Sequence, residues 1–127
     1  MSRRDARRHI FNLMFQNEFN KEINTHESIE TYRNEYENFE RKDILFIKNE
    51  YTGILDNVEK IDSIIDKFSI GWSVDRLSTV DKAILRIAVY EIMFDDDIPN
   101  KVSVNEAVEL AKEFSEDKAP SFINGVL

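Results

Sequence analysis

Four arginines in the first ten residues are the side chains best suited to hold an anion: Arg3, Arg4, Arg7 and Arg8, within SRRDARRHIFNLMFQ. Arg3 and Arg7 are four residues apart, as are Arg4 and Arg8, so a helix would stack two guanidinium pairs over two turns. Arginine's planar fork matches the oxygens of a phosphate. Like charges at this spacing destabilise an isolated helix, and positive charge at a helix start opposes the macrodipole. The cluster therefore has either acidic neighbours in the fold or an anionic ligand. His9, beside it, is either an assistant in phosphate contact or a plain surface histidine.

Catalytic chemistry has little to stand on. His9 and His26 are the only histidines, and neither has a second ligand at metal spacing. The sequence has no nucleophile elbow, Gly-rich phosphate loop or H-E-x-x-H. Asp95-Asp96-Asp97 lacks the Gly that a calcium loop places at its sixth position. These residues point to a binding protein with no catalytic residue, metal or cofactor.

The distribution of charge agrees. The chain carries −8 in all, yet residues 1–10 carry +3, which leaves −11 on the rest. A basic end on an acidic body is the asymmetry of a nucleic-acid arm, and the acidic body suits a cationic protein partner. The 127 residues make one domain, residues 1–127, with three Gly and two Pro and no low-complexity run. The absence of Cys excludes a disulfide framework and suits a cytoplasmic protein. No apolar run approaches the ~20 residues of a membrane span.

Helices must position these side chains, because no stretch alternates at period two. A first helix from Arg3 or Arg4 to about Glu18 has Ala6, Ile10, Leu13 and Met14 as its buried stripe. Ile29, Tyr32, Tyr36 and Phe39 mark a second from about Glu27. Asp43 is placed to cap a third, with Ile44, Ile47, Tyr51, Ile54 and Leu55 inward, and Gly53 inside it predicts a closely packed neighbour. Asp56-Asn57 breaks it, Ile61, Ile64, Ile65 and Phe68 mark a fourth, and Trp72 covers the core. Ser78 and Asp81 start the most apolar helix, Val80 to Phe94, which must lie inside other helices. Ser103 with Glu106 reads as a capping box for the next, and Pro120 suits the start of a last short one.

The runs DKAILRIAVYE, PNKVSVNEAVELAKEF and FINGVL, in that order behind an arginine-rich start, resemble the NusB family of bacterial transcription antitermination factors. The resemblance implies an all-α fold of about seven helices in two packed helical bundles, the second from Val58 onward. It implies binding to the single-stranded boxA element of ribosomal RNA leader transcripts together with NusE, a small-subunit ribosomal protein. NusA, NusG and RNA polymerase would complete the assembly. By this resemblance Arg3, Arg4, Arg7 and Arg8 hold the RNA backbone, Phe122 stacks a base, and Lys118 and Ser121 flank it. The partner protein docks on the C-terminal half, where Asp81 and Glu91, read as exposed, are candidate contacts. Two other readings compete: a NusB-like domain of an rRNA cytosine methyltransferase, which the end at NGVL disfavours, and a purely protein-binding adaptor whose arginines pair with acids of the fold.

Overall fold

Helix α4, Thr79–Phe94, is the axis of the molecule. The Ser78 hydroxyl caps it by accepting the Asp81 N–H at 3.1 Å, as the S-x-x-D pattern requires. Ala83, Ile84, Leu85, Ile87, Ala88 and Val89 are all buried, so its apolar residues need cover on nearly every side. Five helices supply it: α1 (Arg3–Phe19), α2 (Arg41–Asp56), α3 (Val58–Phe68), α5 (Asn100–Phe114) and α6 (Ala119–Val126). The computed structural model describes residues 1–19, 39–69, 76–116 and 118–127. Among these residues there are six helices and no strand, and no helix is long and apolar enough to cross a membrane. The helix expected from about Glu27, and Trp72, lie outside the described residues.

Several expectations hold in detail. Ala6, Ile10, Leu13 and Met14 form the buried stripe of α1. Asn57 separates α2 from α3. Gly53 is needed by its neighbour: a Cβ there would lie 2.6 Å from Cζ of Tyr90, on α4. Arg86 on α4 grips Asp62 on α3 through two bonds of 2.8 Å.

Other expectations are corrected. Asp43 is not a cap; α2 starts at Arg41, and Asp43 is buried in its first turn, 3.5 Å from the Met1 ammonium. Helix α5 starts at Asn100, because Pro99 fixes φ at −58° and its carbonyl takes the N–H groups of Val102 and Ser103. Ser103 therefore lies inside α5 and forms no capping box. Ile61, Ile64, Ile65 and Phe68 do mark a helix, α3, and Phe68 is exposed at its end, beside an open apolar cleft shared with Met93 and Leu127.

Candidate nucleic-acid interface

The four arginines of α1 divide between the inside and the outside of the protein. Arg7 is only 4% exposed. Its Nε and Nη2 donate to Glu91 on α4 at 3.0 and 2.9 Å. Burial works against the charge on Arg7, but the bonds and the charge of Glu91 outweigh it and hold the guanidinium protonated. Glu91 also accepts from the Ser103 hydroxyl of α5 at 3.0 Å. Glu50 of α2 closes this cluster. Burial, the hydrogen bond to Glu91 and the charge of Glu91 push its carboxyl up to about 10, so it holds a proton at neutral pH. Burial opposes ionisation of Glu91 as well, but the bonds from Glu50, Arg7 and Ser103 bring it below the usual carboxylate range. One proton is thus shared between two carboxyls, and it rests on Glu50.

Two expectations fail here. Glu91 is not an exposed partner contact; it is 1% exposed, enclosed by α1, α2 and α5. Arg7 is not a surface cation: it is enclosed, and its fork is filled by the Glu91 carboxylate. The buried cluster itself was missed in the sequence. Its signal was present: Arg7 lies three before Ile10 and seven before Met14, on the buried stripe, and Glu91 sits among Ile84, Ile87 and Ala88.

The other three arginines remain outside. Arg3 is exposed, with its guanidinium 4.0 Å over the Phe46 ring. Arg4 meets Glu106 on α5 by a two-pronged pair, Nε to Oε2 at 3.0 Å and Nη2 to Oε1 at 3.1 Å. Arg8 donates through Nε to Glu113 at 2.8 Å and through Nη1 to Asp5 at 2.7 Å. Hydrogen bonds to Glu106 and Glu113 raise both guanidinium groups above their ordinary values, so they stay charged. His9 packs on Phe39, ring centroids 4.7 Å apart, and its partial burial disfavours the charged imidazolium.

A second surface lies across α5, where α6 begins. Lys118 and Ser121 are exposed there. Phe122 is half-buried and packs against the core, yet it also lines an open cleft of about 420 Å³ with Arg76, Asp81, Glu116 and Lys118. Asp81, half-buried, accepts from the Ser115 hydroxyl at 2.6 Å besides standing at the start of α4. The two surfaces share α5 as their common neighbour: α1 reaches it through Glu106 and Glu113, and α6 packs along it.

Comparison with known proteins places this arrangement. Residues 4–127 match the profile of the NusB family. The chain belongs to the NusB family. The transcription antitermination protein NusB of Natranaerobius thermophilus is 46% identical over 133 residues, covering all of this chain and 92% of that one. The NusB of Agathobacter rectalis is 41% identical over 127 residues, covering all of this chain and 97% of the other. Among solved structures, NusB of T. maritima superposes with a TM-score of 0.91 at 33% identity, over 99% of this chain and 87% of that one. A structure of the antitermination factors NusB and NusE in complex with dsRNA matches with a TM-score of 0.86 at 27% identity, over 98% of this chain and 91% of that one. The family resemblance carried by DKAILRIAVYE, NEAVELAK and NGVL thus extends over the whole chain.

Proposed function

We propose that this chain is a bacterial transcription antitermination factor, not an enzyme, which binds boxA RNA together with NusE and joins NusA, NusG and RNA polymerase in the cytoplasm. The family membership over the whole chain carries the reading. A NusB relative solved with NusE and dsRNA supports RNA and a ribosomal protein as partners. The fold is read as about seven helices in two bundles. Packing of α1 on α2, and of α4, α5 and α6 on one another, supports that division.

In this reading Arg3, Arg4 and Arg8 contact the RNA backbone, and Arg7 holds α1 in place from within. Phe122 offers a ring for base stacking at the rim of its cleft, with Lys118 and Ser121 beside it. Asp81 remains a candidate contact for NusE; Glu91 does not. Gel shift with a single-stranded boxA RNA and with the corresponding duplex, each with and without NusE, tests the function. The expected result is a retarded single strand, with tighter binding when NusE is added. Failure to bind either RNA in both conditions overturns it. Asp81→Lys, if folded, should weaken NusE binding more than RNA binding by the free protein; normal NusE binding removes Asp81 from the interface.

The adaptor reading rests on one observation, that Arg4 and Arg8 are already paired with acids of the fold. Their exposure favours RNA: the Arg4 side chain is 53% exposed and the Arg8 side chain 38%, so an incoming phosphate can reach both.

A further inference from the structure

We infer that Glu106 and Glu113 set the RNA affinity of this face, by occupying the guanidinium forks that phosphates must take. The inference rests on the RNA-binding reading above. Arg4 uses Nε and Nη2 on the two oxygens of Glu106, the same bidentate geometry it would use on two phosphate oxygens. Arg8 spends Nε on Glu113 and Nη1 on Asp5. All four side chains line one open groove of about 190 Å³, together with Glu109 and Lys112. Lys112 donates to Glu109 at 3.2 Å. The groove thus holds three cations and three carboxylates and is close to neutral before any ligand arrives.

A face that captured phosphate by net charge alone would be positive. Here each entering phosphate displaces a carboxylate from a fork. Exposed pairs of this kind are weak in water, so the exchange is feasible, but every exchange subtracts from the binding energy. The carboxylates also tether the Arg4 and Arg8 guanidinium groups to α5. The RNA meets placed but occupied donors, and the strength of the α5 pairs sets how tightly it is held.

The test measures binding of a single-stranded boxA RNA by fluorescence anisotropy at low and high salt. Glu106→Gln and Glu113→Gln keep the shape of the side chain and remove its charge. Each should tighten binding by about 1.5- to 5-fold, the range of an exposed pair released. The gain should shrink as salt rises, because the internal pair is itself screened. Glu109→Gln removes a charge from the same groove and frees Lys112, a point charge, in place of an arginine fork, so it should gain less. In an Arg8→Ala background the gain from Glu113→Gln should vanish. Equal gains in all three glutamine variants reduce the effect to net charge and overturn the inference, as does any loss of affinity in folded Glu106→Gln and Glu113→Gln proteins. If Arg8→Ala weakens binding while Glu113→Gln does not tighten it, this inference alone fails. If Arg8→Ala binds as the parent does, the RNA reading of this face fails with it.

Discussion

Arg7 and Arg8 are adjacent in the chain and identical in type, and each ends on a glutamate, yet the two pairs do different work. Arg7–Glu91 is inside the protein, with side chains 5% and 1% exposed. Arg8–Glu113 is at the surface, with side chains 38% and 41% exposed. The inner pair is locked by a cost: removing either partner strands a charge in a poor solvent. The outer pair has water as an alternative partner and is therefore exchangeable. One helical step of about 100° separates a residue that positions α1 from a residue that can meet a ligand.

The sharpest way to break this contrast is to truncate the inner arginine. Arg7→Ala should cost about 3–5 kcal/mol in urea unfolding, since Glu91 is left buried without its counter-charge. A loss below about 1 kcal/mol would mean that Arg7 is not the internal strut described here. Arg8→Ala should melt close to the parent.

Next in size is the pH dependence of stability. Glu50 carries a proton in the folded protein up to about pH 10 but releases it near 4.5 when unfolded. The folded state then binds more protons than the unfolded state across that interval, so stability falls as pH rises from about 4.5 towards 10. Unfolding free energy should drop by about 1–4 kcal/mol between pH 5 and pH 8.5. Glu50→Gln, which imitates the protonated form, should flatten this limb; an unchanged slope in that variant places the proton elsewhere.

Two RNA measurements separate stacking from charge on the outer surface. Phe122→Ala should weaken RNA binding by about 1–3 kcal/mol without altering the salt dependence, because stacking releases no counterions. Its ring also packs on the core, so melting must be followed beside affinity. Arg8→Ala should lower the log–log salt slope by at most about 0.7, the full value holding only once Glu113 no longer has to be displaced. With Arg7 enclosed, the arginines contribute through three phosphates, not four, and their joint slope should be no steeper than about −2. A slope change on Arg7→Ala in a folded protein would contradict its burial.

Much of the frame was legible in the sequence for local reasons. The Ser78 cap, the break at Asp56-Asn57 and the inward stripe of α1 follow from spacing and capping chemistry, which act within a few residues. Gly53 predicted a close neighbour because nothing else justifies glycine inside that helix, and Tyr90 is that neighbour. The caps assigned to Asp43 and Ser103 failed for one shared reason. Short polar side chains that look like caps are equally suited to tertiary partners, the Met1 ammonium for the first and the buried Glu91 for the second.

By itself, the sequence determined the helical character of the described residues, the apolar axis at residues 79–94, a cationic first helix on an acidic body, and the family, through motifs spread along its length. Only the tertiary structure decided the fate of each charge. Periodicity sets which residues share a helix face, but whether a face meets solvent, a carboxylate or a protonated acid depends on partners 84 to 105 residues away. The dielectric around a charge, and with it the difference between a strut and a ligand contact, is a property of what packs against it.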